Sequence, residues 1–279
     1  MKVTLLDHMG SDLTVVNAAR VSFNKKSEYL TGAYTSNDLA EEEKAEHAKK
    51  YGNATYVLNS LFKTETPAWY AGKRLAYADK KLIKYLADHQ HWSPFSHCFL
   101  SFHIKAPIFV TRQLAKHQVG LSWNEVSRRY VDTQPELYWP TEWRKKAANK
   151  KQGSSDEVVK DVIISKYSYD TTEDGETIEN ESQDFIDIDT FLKPLALDML
   201  YSYRRLISNG VCPEQARMIL PLNTYTEFHW SGSLYAFARV VNLRTTMDTQ
   251  KETREIALQI KQIMLELFPE SSKALLHGN

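Results

Sequence analysis

The chain has 279 residues, 42% of them hydrophobic and 25% charged, with 35 basic and 35 acidic side chains and a formal net charge of zero. That length fits one elaborated domain, and 11% aromatic residues with this apolar content exclude a wholly disordered chain. Electroneutrality gives no global field to draw the chain onto nucleic acid or a membrane, so any anion site is local and neither is an expected partner.

The start, Met1 to His8, turns polar too soon for a signal peptide, and no run elsewhere is apolar for long enough to span a bilayer, so the expected compartment is cytoplasmic. Residues 3–9 read as a short strand, and Asn17 to Phe23 as a helix or turn. From Glu41 to about His91 an Ala-, Lys-, Glu- and Leu-rich stretch predicts two helices, one starting at Thr66-Pro67-Ala68 because proline is tolerated in a first turn. Phe95 to Lys105 alternates with a period of two, Cys98, Leu100, Phe102 and Ile104 on one side, which predicts a buried strand.

Pro107 opens an apolar helix expected to reach His117, with Gln113 and His117 on one face. Residues 141–189 turn first lysine-rich and then acidic, with nine carboxylates from Asp170 to Asp189, and read as an exposed insertion or hairpin. Phe191 to Asn209 has helical spacing and meets Gly210, a stop signal, and Pro213 restarts a short helix. Leu220 to Trp230 is extended, Ser231-Gly232-Ser233 is a turn, and Leu234 to Leu243 a helix. Thr249-Gln250-Lys251-Glu252 has the pattern of a capping box for a last helix running to about Phe268.

The densest chemistry lies in Lys116 to Tyr130, where cations, a carboxylate, hydroxyls and an amide follow an apolar run, a mixture suited to a nucleotide. Arg112, Arg217, Arg239 and Arg244 also sit within apolar sequence, where each needs an anionic or hydrogen-bonding partner or must snorkel to water. Five histidines between His89 and His117 lack the spacing of a metal site, and none is expected. Cys98 and Cys212 are far apart, expected to be reduced and structural, and no serine has a nucleophile elbow. Without a G-x-G-x-x-G or Walker loop, a redox cofactor needs another architecture.

Five ordered blocks carry a resemblance: HWSPFSH (91–97), FHIKAPIFVTRQL (102–114), SWNEVSRRY (122–130), ARMILPLNTYTEF (216–228) and NLRTTMDTQKETRE (242–255), with ARVSF (19–23) as a weaker sixth. The chain resembles the flavin-dependent thymidylate synthases. It departs from their R-H-R signature, since Lys116 and Gln118 stand where the family has arginines, only His117 is kept, and eight residues rather than seven precede Ser127.

The resemblance implies an α+β fold in one domain, an antiparallel sheet surrounded by helices, with the insertion at about 141–189. It implies an FAD site using Ser93, Lys116, His117, Gln118, Glu125, Ser233, Leu234, Tyr235 and Arg239, the last two differing from the usual family residues. It implies a dUMP site using Gln113, Leu114, Ala115, Lys116, Glu125, Val126, Ser127, Arg128, Arg129, Arg217 and Arg244, with Arg244 as the catalytic group at the uracil edge. The implied reaction is methylation of dUMP to dTMP, with 5,10-methylenetetrahydrofolate and NADPH as co-substrates, in a homotetramer whose sites draw on several subunits. Two other functions compete with it. One is a related flavin- and folate-dependent enzyme acting on another pyrimidine nucleotide. The other is a non-catalytic nucleotide- or single-strand-binding protein using Arg128, Arg129, Trp123 and Tyr130.

Overall fold

A computed structural model describes residues 1–31, 73–148 and 154–276. Four antiparallel strands form the central sheet in the order β1-β2-β8-β3: β1 (Lys2–Met9), β2 (Phe99–Pro107), β8 (Tyr225–Ser233) and β3 (Leu121–Glu125). The alternation of β2 sorts its residues between faces. Leu100, Phe102 and Ile104 point into the core with Phe228 and Trp230 of β8. On the other face Ser101 meets Ser231 at 2.7 Å and His103 pairs with Glu227 at 3.0 Å.

Helices cover the apolar face: α1 (Asp12–Arg20), α2 (Tyr77–Asp88), α6 (Leu234–Arg244) and α7 (Lys251–Leu267) contribute Val16, Ile83, Phe237 and Ile260 to one buried cluster. Phe237 stands edge-on to Phe102 and Trp230, with ring centres 4.9 and 5.2 Å apart. Full burial stabilises by about 1.5–3 kcal/mol per large apolar side chain, so this cluster is the main source of stability. The buried Asp12 carboxylate is satisfied by the backbone N–H groups of Glu270 and Ser271, both at 2.9 Å. It thereby ties α1 to the start of α8 (Pro269–Leu275).

Between β2 and β3 lies α3 (Ile108–Leu114), and after β3 come the hairpin of β4 (Trp143–Lys146) with β5 (Ser154–Val159) and the longer hairpin of β6 (Asp161–Thr171) with β7 (Thr177–Asp187). Then come α4 (Ile188–Ser208) and the short α5 (Pro213–Ala216). In β6 and β7 the acidic residues face water, and so do Ile163, Tyr167, Tyr169 and Phe185. Gly210 ends α4 at φ +83°, a conformation only glycine adopts without strain.

Several expectations need correction. The strand expected from Phe95 begins at Phe99, because Pro94 sits in a 3-10 turn, Ser93–His97. The helix opened by Pro107 stops at Leu114 rather than His117, so Gln113 and His117 share no helical face. Ser231-Gly232-Ser233 is not a turn: Gly232 pairs with both Leu100 and Leu121, and the strand runs directly into α6. The capping box does not form, since Gln250 is the N-cap residue, Thr249 turns back to the Leu243 carbonyl at 3.2 Å, and Glu252 pairs with Arg144. α4 begins at Ile188 because Asp187 caps it, accepting from the Thr190 N–H at 2.9 Å. Pro269 opens a further helix instead of ending the fold, and the helix expected at Pro67 lies outside the described residues.

Candidate functional site

Arg244 is the last residue of α6, and its half-buried guanidinium turns toward the end of α3. Its Nε donates to His117 Nε2 at 3.0 Å and Nη2 to the Gln113 carbonyl at 3.4 Å. An acceptor Nε2 places the proton of neutral His117 on Nδ1. Burial, then the charges of Arg244 and Arg239, push the imidazole below its ordinary value of 6.5. Burial also lowers the Arg244 guanidinium, whose charge nonetheless persists at any physiological pH. Arg112, Arg217 and Arg239, the other arginines in apolar sequence, are exposed and reach solvent.

The Gln113 side chain is also held: it donates to Gln250 Oε1 in a short contact, and its own Oε1 accepts from Thr253 at 3.2 Å. Beside it Leu114 is fully buried in the core, so only its backbone can face a ligand, whereas Ala115, Lys116 and Gln118 are exposed. Gly120, at φ +75°, brings the chain against Gly232, where an added Cβ would sit 2.4 Å from the Gly120 carbonyl oxygen. That close approach launches β3 along the edge of the sheet and delivers Glu125 to Tyr130.

Glu125 accepts from Thr226 Oγ1 at 2.9 Å and Trp123 Nε1 at 3.2 Å, and the Val126 N–H donates to the Glu227 carbonyl at 2.9 Å. A turn follows, in which Ser127 Oγ accepts from the Arg129 N–H and Nε at 3.3 and 3.2 Å and Arg128 Nη1 donates to the Thr133 carbonyl. Together these residues form a hydroxyl-and-cation turn able to receive an oxyanion. Arg217 lies apart, after α5, with Nε on the Glu214 carbonyl at 3.2 Å, and among the described residues no contact joins it to Ser127 or Arg129. Trp123 stacks on Phe228 with ring centres 3.6 Å apart, which occupies one face of its indole.

A cavity of about 890 Å³ opens between α1, α2 and the 3-10 turn, and Ser93 lines it. Arg20, Ser22, Lys25, Lys81 and His91 line it too. The sequence had signalled this wall through the ARVSF and HWSPFSH blocks, assigning only Ser93 of its residues. Arg20 is fixed by Asp79, its Nε 3.1 Å from a carboxylate oxygen that also accepts from Ser27 at 2.9 Å. A smaller cavity of about 220 Å³ shares Leu86 and His91 with it and reaches Tyr235 and Arg239 of α6. Ser233 and Leu234, by contrast, are structural in their side chains: Ser233 Oγ caps α6 by accepting from the Ala236 N–H at 3.2 Å, and Leu234 is buried in the core. Cys98 is buried and its thiol pushed up to about 12, so it offers no nucleophile. No described helix is long and apolar enough to cross a membrane.

Residues 4–270 match the family described as thymidylate synthase complementing protein. A flavin-dependent thymidylate synthase of Thermosipho africanus is 30% identical over 273 residues, 98% of this chain and 89% of that protein. One from Thermus thermophilus is 31% identical over 267 residues, 96% of this chain and 72% of that protein. Among solved structures, a UMP/dUMP methylase from Streptomyces cacaoi bound with 5-Br dUMP has a TM-score of 0.62 at 24% identity, covering 98% of this chain and 93% of that one, a likeness of fold. By matches that run nearly from end to end, the chain belongs to the thymidylate synthase complementing protein family, that of the flavin-dependent thymidylate synthases.

Proposed function

We propose that this chain methylates dUMP to dTMP, taking the one-carbon unit from 5,10-methylenetetrahydrofolate and using FAD reduced by NADPH. The observation that carries this reading is Arg244, a cation held between His117 and the Gln113 carbonyl at the point where two family blocks and the retained signature histidine meet. A guanidinium fixed at the uracil edge favours loss of the N3 proton and makes the ring electron-rich at its reacting carbon. Ser127, Arg128 and Arg129 take the phosphate through hydroxyl and charge-assisted bonds, with Glu125, Val126 and the Gln113 to Lys116 segment beside them. Arg217 completes this set from a neighbouring subunit, which accounts for its distance from Ser127 within one chain and fits a homotetramer with shared sites.

The 890 Å³ cavity suits a dinucleotide, since Lys25 and Lys81 supply positive charge, Ser22 and Ser93 hydroxyls, and Tyr85 a ring. Ser93 would hold FAD there, with Tyr235 and Arg239 from the adjoining cavity, the backbone of Ser233 and Leu234, and Lys116, His117, Gln118 and Glu125 along the strip toward dUMP. Reduced flavin supplies the hydride, and the protein orients the reactants, excludes water and keeps Arg244 charged. The chain reads as one domain, with 141–189 inserted, working in the cytoplasm.

The decisive assay measures dTMP formed from dUMP, methylenetetrahydrofolate, NADPH and FAD, omitting each in turn. Product only in the complete mixture is expected. No product in that mixture overturns the proposal.

A further inference from the structure

A third cavity, of about 530 Å³, lies between α4 and the core and includes neither His117 nor Arg244. Its walls are mainly apolar and include four aromatic rings: Phe109 from α3 and Tyr138, Trp139 and Trp143 from the segment around β4 face Leu192 and Met199 from α4. Its volume is in the range of small-molecule sites, and flat rings stack well against such walls.

The charges around it cancel. Arg144 Nη2 reaches the two Glu252 carboxylate oxygens at 3.0 and 3.1 Å, and Glu142 accepts from Lys251 Nζ at 2.6 Å. A phosphate or carboxylate finds no uncommitted cation among these groups, so an occupant of matching charge is neutral. Two amides on the wall are half used. Asn223 donates to the Tyr138 carbonyl at 2.8 Å, and its Oδ1 has no partner among the described residues. Gln250 accepts from Gln113 through Oε1, and its NH₂ likewise has none. One acceptor and one donor left open among the residues lining the cavity can serve the N–H and C=O of a cyclic amide.

We propose that this cavity is a binding site for a neutral, flat heteroaromatic lactam, separate from the nucleotide site. The site is built jointly by the core, by α4 and by the segment from Tyr138 to Arg144, with Ser154 from β5.

The probe is 2-quinolinone, a two-ring lactam, titrated calorimetrically into the full-length protein. A saturable isotherm of one molecule per chain, with Kd on the order of 1 mM or tighter, is expected. Ala196→Phe and Met199→Trp each place a ring inside the cavity and are expected to weaken binding at least about tenfold, with unchanged circular dichroism. Met199 is 42% exposed, so its variant carries the test should Ala196→Phe fail to fold. No saturable heat overturns the proposal, as does an isotherm unchanged in a folded filling variant. Competition by dUMP also overturns it, by placing the probe in the nucleotide site. The readout needs no turnover, so failure of the dTMP assay leaves it standing.

Discussion

Replacing Arg144 by methionine separates two accounts of how residues 141–189 are fastened to the core. The Arg144–Glu252 pair joins β4 to the first turn of α7, and its side chains are only 15% and 7% exposed. Methionine preserves most of the volume and removes the charge, leaving a buried carboxylate with no other side-chain partner among the described residues. Breaking a fully buried pair from one side costs roughly 3–5 kcal/mol. Two effects reduce this: water reaches the arginine side, and Glu252 lies in the first turn of α7, where the helix dipole favours a carboxylate by up to about 1 kcal/mol. A loss of about 2–4 kcal/mol follows, or roughly 4–16 °C at about 2–4 °C per kcal/mol. Urea and thermal unfolding followed by circular dichroism measure it in wild type, Arg144→Met and the double variant Arg144→Met/Glu252→Met. The double variant leaves no charge behind and is expected within about 1 kcal/mol of wild type. A single variant that loses under about 1 kcal/mol, or a double variant no more stable than the single, refutes the idea that a stranded carboxylate is the cost.

Arg244→Ala is expected to keep the wild-type circular dichroism spectrum while dTMP formation falls by at least about a hundredfold, the scale of losing a preorganised charge; near-normal turnover removes Arg244 from catalysis. His117 is depressed below 6.5 when folded, so its neutral form and its bond to Arg244 are complete above 6.5 and are lost as pH falls through the folded value. Calorimetric dUMP affinity should decline on that acid side, and His117→Gln should flatten the profile. Gly232→Ala puts a Cβ 2.4 Å from the Gly120 carbonyl oxygen and 2.6 Å from Leu121 Cδ2, and should cost about 1–3 kcal/mol in urea unfolding. Gln118→Arg restores a family cation at an exposed position and should tighten FAD binding, and equal dissociation constants in a direct titration would count against that contact.

The sheet was legible where side chains alternate and helices where proline or glycine marks an end, because these signals act within a few residues. β2, α3, α4 and α6 were read from such signals, with errors mostly at their ends. β3 was not read at all, since LSWNE shows little alternation and forms a strand only by pairing with β8 more than a hundred residues later. The capping box failed for the same kind of reason: a local pattern promised Glu252 to its own helix, and a distant arginine outcompeted the backbone for it. The hydroxyl-and-cation turn at Ser127 to Arg129 was visible as composition. The wall of Arg20, Ser22 and Lys81 was not, because α1 and α2 meet only in three dimensions.

The arginines show most clearly what local sequence leaves open. Arg112, Arg217, Arg239 and Arg244 share one pattern, yet only Arg244 is withdrawn from solvent onto histidine and carbonyl partners 127 and 131 residues away. What separates it is the junction that sequence alone read as a turn. Because β8 runs unbroken through Ser233 into α6, the helix starts at a bearing fixed by the sheet, and its eleven residues carry Arg244 about 16 Å along that bearing to the end of α3. Each residue turns a helix by about 100°, so one residue added or removed at the junction would swing Arg244 away from His117. The strand pairing of Gly232 with Leu100 and Leu121 therefore sets the placement of this guanidinium as directly as the arginine itself.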